Sequence, residues 1–153
     1  MLLRMRIYDT MTNQIRNLEP KDPGKISIYA CGPTVQDVPH LGHARTALTY
    51  DVLKRYLVWA GFDVFLVSNI TDIDDKIINR ALDEGISEEE LAQKYANIHI
   101  EQLQKFGIDN PDKRPRATQF IQEMISIIKE LMENGSAYEI EGSGIYFDVS
   151  EFN

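Results

Sequence analysis

An α/β fold built on a parallel sheet is predicted by three features that follow one another in this sequence. They are a short apolar strand, KISIYA (Lys25 to Ala30), a helical stretch from Leu41 to Ala60, and a second short strand, DVFLVS (Asp63 to Ser68). Strand, crossover helix and strand make the right-handed unit of a parallel sheet. At 153 residues the chain can hold one domain with an appendage, burying roughly two thirds of the surface of its unfolded form.

Each element has its own local reason. RIYDT (Arg6 to Thr10) reads as a first strand, followed by a turn that runs to Leu18, and EPKDPG (Glu19 to Gly24) supplies loop punctuation. KISIYA is rich in β-branched and aromatic residues and stops at Cys31-Gly32-Pro33. Two prolines in the next nine residues forbid a long regular element there. From Leu41, Ala44, Leu48, Val52, Leu53, Tyr56, Leu57 and Ala60 recur at helical spacing, and Gly61 stands where a helix ends. NITDIDDK (Asn69 to Lys76) leads into a helix that closes at Gly85. Ser87 with Glu90 forms a capping box for the next helix, whose expected inward positions are Leu91, Tyr95, Ile98, Leu103 and Phe106. GIDNPDKRP is a loop, a further helix runs from about Thr118 to Gly135, and AYEIEGSGIYFDV turns as a hairpin on Gly142-Ser143-Gly144. The sequence stops at Asn153 without a closing element, which reads as an interruption.

Composition narrows the function classes. Sixteen Lys and Arg against 24 Asp and Glu leave a net charge of −8, which disfavours nonspecific binding to a nucleic-acid backbone. The KRPR cluster at Lys113 to Arg116 reads as a solvated loop. No apolar run reaches the roughly 18 residues of a membrane span, and MLLRMRIYDT carries an arginine inside its apolar patch, so a cytoplasmic protein without a signal peptide is expected. The single cysteine, Cys31, is a small apolar residue, a reactive thiol or one metal ligand.

The chemistry concentrates in CGPTVQDVPHLGHAR (Cys31 to Arg45). His40 and His43 lie three residues apart at a predicted helix start, where free backbone N–H groups and about half a positive charge favour phosphate. Gly42 between them leaves bare backbone that a flat ring such as adenine can approach. A pattern H-x-G-H arises by chance in well under about one in a hundred chains of this size. The competing reading makes His40 a helix cap and His43 a surface residue. The loop follows the carboxyl end of KISIYA, where ligands bind in open α/β sheets.

HLGHAR resembles the HIGH signature of class I aminoacyl-tRNA synthetases, and CGPTVQDVPHLGHAR with NITDIDDKI resembles the cysteinyl-tRNA synthetase family, as do PRAT (Pro115 to Thr118) and YFDVSEF. The resemblance implies a Rossmann-like sheet, with residues 1–117 as the N-terminal half of the catalytic domain and 118–153 as the start of a connective insertion ending in a β-hairpin. It implies ATP-dependent activation of cysteine and its ligation to tRNA. His40 and His43 would bind the ATP phosphates and stabilise the transition state, and Gly42 would face adenine. Cys31 would be one ligand of a zinc ion that binds the substrate's sulfur, and Gly32 and Thr71 would line the amino-acid pocket. A soft metal prefers sulfur to hydroxyl, which would help such a site reject serine.

Several features depart from that family. No lysine-rich KMSKS segment occurs, Cys31 has no companion cysteine, and Gln119 and Phe120 follow PRAT where the family often has histidine. The chain by itself is therefore expected to show little aminoacylation. A local metal site from Cys31, Asp37, His40 and His43 would take the imidazoles away from phosphate. Asp72, Asp74 and Asp75 could hold Mg²⁺ with ATP, but are expected to cap the following helix. His99 is expected in the core beside Tyr95 and Phe106. Two other functions fit the same motifs: the cysteine ligase of mycothiol synthesis, and a truncated paralogue that binds nucleotide or a partner without catalysis.

Overall fold

A computed structural model describes residues 5–108 and 111–150. Asp109 and Asn110 of the expected loop, and the last residues of YFDVSEF, lie outside the described residues. The chain divides into two compact units, Met1–Arg116 and Ala117–Asn153.

In the first unit, β3 (Lys25–Ala30) and β4 (Asp63–Ser68) pair in parallel, from Lys25 opposite Asp63 to Ala30 opposite Ser68. The crossover between them is α1 (Leu41–Trp59), so the predicted strand, helix and strand are all present. Beyond the strand ends the pairing continues as a bridge between Thr34 and Thr71. The other edge of β4 is covered by residues 113–116, through parallel bridges of Val67 with Lys113 and Ile70 with Arg116. KRPR is thus not the solvated loop expected of three basic residues and a proline. Its backbone satisfies β4, with Ser68 donating to the Lys113 carbonyl and Ile70 to that of Pro115.

The region before β3 also differs from expectation. β1 (Arg6–Asp9) returns as a second strand, β2 (Gln14–Asn17), where the sequence suggested only a turn. Asp9 organises the connection by accepting from the Met11 amide and the Thr12 hydroxyl, and Asn13 takes φ of 55°. QIRN carries one apolar residue in four, so no hydrophobic alternation announces a strand.

Helix α1 has the predicted length but a shifted inward face. Asp51, Lys54 and Leu57 are buried, whereas Leu48 and Val52 are 47% and 55% exposed. The two buried charges are paired: Asp51 Oδ2 lies 2.7 Å from Arg55 Nε, and Lys54 Nζ lies 2.7 Å from Asp112 Oδ2. Asp112 also accepts from the Leu66 amide at 2.6 Å, which ties α1, β4 and the segment beside β4 at one carboxylate. The Leu66 amide and the Lys54 ammonium hold its pKa below the usual range. Beneath them Leu57, Ile26, Phe62 and Val64 form one apolar cluster.

A second cluster packs Val35 and Ile70, just beyond the strand ends, with the next two helices, α2 (Asp75–Glu84) and α3 (Glu88–Lys105). Ile77 and Leu91 are fully buried at its centre, each worth about 2–3 kcal/mol relative to exposure. Asp74 caps α2 by accepting from the Lys76 amide at 2.9 Å, and Gly85 closes it in the left-handed conformation. Ser87 and Glu90 form the predicted capping box of α3. Leu91, Tyr95 and Leu103 face inward as expected, but Phe106 caps the helix end and is 63% exposed.

The second unit holds a 3₁₀ turn (Ala117–Phe120), α4 (Ile121–Glu133) and the hairpin β5 (Ala137–Ile140) and β6 (Gly144–Phe147). Tyr138 and Tyr146 stack across the hairpin with ring centroids 6.1 Å apart. Gln119 and Phe120 lie exposed in the 3₁₀ turn.

Candidate active site: a cleft at the strand ends

The carboxyl ends of β3 and β4 and the start of α1 enclose a cleft of about 600 Å³, within the size range of small-molecule sites. Cys31, Gly32, His40 and His43 all line it, together with Asn69, His99 and Arg114. Of the site residues that the resemblance implied, Gly42 and Thr71 do not. Gly42 opens instead on a shallower depression with Arg45, Thr46, Thr49 and Tyr50.

The histidine pair takes the capping geometry of the competing reading. His40 is the N-cap of α1, and its Nδ1 accepts from the Gly42 amide at 3.0 Å. His43 reaches back so that its Nδ1 accepts from the His40 amide at 3.1 Å. The two rings stack with centroids 3.9 Å apart. An imidazole nitrogen that accepts a hydrogen bond carries no proton, so each neutral ring holds its hydrogen on Nε2. The helix start therefore presents two parallel Nε2–H donors at its positive end. Burial and the neighbouring His40 push the His43 pKa below its ordinary value, which favours this neutral form.

Gly42 has a steric reason of its own. A Cβ there would lie 2.7 Å from His40 Cε1 and 2.9 Å from Nδ1, so a side chain would displace the capping ring. His99 completes this wall. Its ring meets that of His43 edge-on at 6.1 Å, and burial, with His43 and Arg114 nearby, lowers its pKa to about 4. The residue is buried as predicted, but it borders the cleft.

The opposite wall is backbone held by one amide side chain. Gly32 donates its N–H to Asn69 Oδ1 at 2.7 Å, and Asn69 Nδ2 donates to Thr71 Oγ1 at 3.2 Å. Thr71 pairs its main chain with Pro33 and Val35. A Cβ on Gly32 would fall 1.6 Å from the Asn69 carbonyl oxygen, so only glycine fits. Asn69 is the residue the sequence reading passed over. Its position at the carboxyl end of a parallel strand is the signal that could have found it.

The acidic run resolves into separate tasks. Asp74 caps α2, while Asp72 is buried with Oδ2 3.8 Å from Arg116 Nη1. Cys31 is exposed, its Sγ 3.7 Å from the Gly32 carbonyl. Among the described residues no group of three or more His, Cys, Asp or Glu could hold a metal ion. Cys31, Asp37, His40 and His43 thus do not form a local metal centre. One thiol also falls short of the four donors of a zinc site.

Residues 17–153 match the family of tRNA synthetases class I (C) catalytic domain. The chain belongs to that family. Similar relatives are the cysteine–tRNA ligase of Thermodesulfovibrio yellowstonii, 46% identical over 151 residues, and that of Thermococcus gammatolerans, 46% identical over 150. These alignments cover 97% and 98% of this chain but 31% of each relative, so the chain spans about a third of their length. The fold is shared with more distant class I synthetases at 18% identity. Mycobacterium tuberculosis methionyl-tRNA synthetase in complex with methionyl-adenylate matches with a TM-score of 0.66 over 74% of this chain and 22% of its own. A ternary complex of Agrobacterium radiobacter K84 LeuRS with tRNA and LeuAMS matches with a TM-score of 0.68 over 78% of this chain and 16% of its own. Among the described residues of this class I synthetase chain, no helix is long and apolar enough to cross a membrane.

Proposed function

We propose that the cleft binds ATP and cysteine side by side and activates the amino acid as its adenylate for transfer to tRNA. The chain then acts as an N-terminal portion of a cysteine–tRNA ligase, in the cytoplasm. The observation that carries this reading is the stacked His40 and His43 pair, with both Nδ1 atoms held by backbone amides. In adenylation a carboxylate oxygen of the amino acid attacks the α-phosphorus and pyrophosphate leaves. Most of the gain comes from alignment and from stabilising charge on phosphate oxygens. Two preset Nε2–H donors at a helix N-terminus supply that stabilisation without reorganising during the reaction. His40 and His43 are the catalytic and ATP-binding residues, and Gly42, on the shallower depression beside the cleft, would be the backbone that adenine approaches. Gly32 forms the amino-acid side of the site, with Thr71 joined to it through the Asn69 amide.

Cys31 is proposed as one donor to a zinc ion, which when bound would recognise the cysteine sulfur. The described residues do not by themselves complete a zinc set. Mg²⁺ would accompany ATP. Residues 1–117 serve as the first half of the catalytic domain and 118–153 as the start of the connective insertion. The identity to ligases named for tRNA favours tRNA over an amino sugar as acceptor.

The deciding experiment is ATP binding by calorimetry for the wild type, His40→Ala and His43→Ala. Each variant should bind about tenfold more weakly, a loss of about 1.4 kcal/mol. Unchanged affinity in both removes the phosphate role. Robust tRNA charging by the 153-residue protein would refute the expectation that it is not competent alone.

A further inference from the structure

The strand wall of the cleft carries an assignment that neither the histidine pair nor the cysteine covers. We infer that Asn69 is a positioning residue for the amino-acid side: it holds the Gly32 turn in place and commits the Thr71 hydroxyl to act as a donor. The inference rests on the adenylation reading above and deepens it.

The hydrogen bonds determine which way the Asn69 amide points. Oδ1 accepts from the Gly32 N–H at 2.7 Å, so it is the oxygen, and the group 3.2 Å from Thr71 Oγ1 is the NH₂. An amide nitrogen cannot accept, so the Thr71 oxygen receives this bond and its own hydrogen is left for another acceptor. The hydroxyl is thereby given a polarity. Thr71 is not itself part of the cleft lining, and from its place beside the Asn69 amide the hydroxyl would donate to a carboxylate oxygen or a sulfur lone pair, the two electron-rich groups of cysteine.

Asn69 also sets where the wall stands. It lines the cleft itself, and its main-chain oxygen occupies the space beside Gly32 where any side chain would sit. The same residue thus touches both amino-acid positions, across 37 residues of sequence on one side and two on the other. An aspartate would have the same shape, but it could accept from both Gly32 and Thr71. The Thr71 hydrogen would then turn inward, and a fixed negative charge would stand beside the substrate carboxylate.

The test compares wild type, Asn69→Asp and Asn69→Ala by titration with cysteine and, separately, with ATP. The Gly32 amide resonance in ¹⁵N spectra reports whether the turn is intact. In Asn69→Asp the Gly32 amide should stay in its hydrogen-bonded position and ATP affinity should remain within about twofold. Cysteine affinity should fall about tenfold or more. Thr71→Val should weaken cysteine binding similarly, and the double variant should add little, because both act through one bond.

Wild-type affinity for cysteine in Asn69→Asp overturns the inference and leaves the adenylation reading intact. A joint loss of cysteine and ATP binding with a displaced Gly32 resonance also overturns it, since Asn69 would then only support the fold. A wild-type protein that binds neither ATP nor cysteine removes the adenylation reading, and this inference with it.

Discussion

The two walls of the cleft are built from opposite kinds of contact. On the helix wall, His40, Gly42 and His43 hold one another through bonds spanning two and three residues. On the strand wall, Gly32 and Asn69 are 37 residues apart and meet because β3 and β4 pair in parallel. A local wall forms wherever its helix starts, and a long-range wall forms only when the sheet is right. Damage to the first should therefore appear in ligand binding, and damage to the backbone contact of the second in stability.

The largest expected effect is on the strand wall. Gly32→Ala puts a carbon 1.6 Å from the Asn69 carbonyl oxygen, and backbone must move to relieve it. We expect a cost of roughly 3 kcal/mol, seen as a fall in Tm on the order of 10 °C in thermal unfolding. A Tm unchanged by this substitution would break the comparison.

Gly42→Ala should do the reverse. Displacing the His40 cap costs about 1 kcal/mol, while alanine inside a helix gains about the same over glycine. Tm should stay within a few degrees, yet ATP binding should weaken about tenfold because the ring has moved. Equal loss in both measurements would show that the helix wall supports the fold as well.

The smallest effect concerns His99, which stands behind His43. Its folded pKa of about 4 lies below the ordinary 6.5. Between those values the unfolded chain binds the extra proton, so stability is full above pH 6.5 and declines as pH falls toward 4. The lowered His43 pKa acts in the same direction. His99→Gln should flatten the dependence of Tm on pH between 7 and 5 by a few degrees. An unaltered slope would mean that His99 does not carry it.

The same contrast explains what could be read from the sequence. The HLGHAR start of α1, the Ser87 and Glu90 box and the Gly85 stop are local arrangements, and each lies where its residues predicted. The inward phase of α1 was misread because Asp51 and Lys54 are buried by partners, one of which, Asp112, is 58 residues away. KRPR looked like solvent-facing charge, but the free edge of β4 takes up its backbone. Asn69 looked like one polar residue among several in NITDIDDK. Its importance depends on Gly32 standing opposite, which only the parallel register determines.

The histidine cap has a consequence for acid. A positively charged ring usually attracts phosphate more strongly than a neutral one, so acidification might be expected to tighten nucleotide binding. In this helix start both Nδ1 atoms face amide hydrogens. A proton added to His43 Nδ1 sets donor against donor, and that ring must swing off the backbone that orients it. For His43 the extra charge is therefore gained only by releasing the bond that ties its ring to the start of α1, in keeping with its lowered pKa.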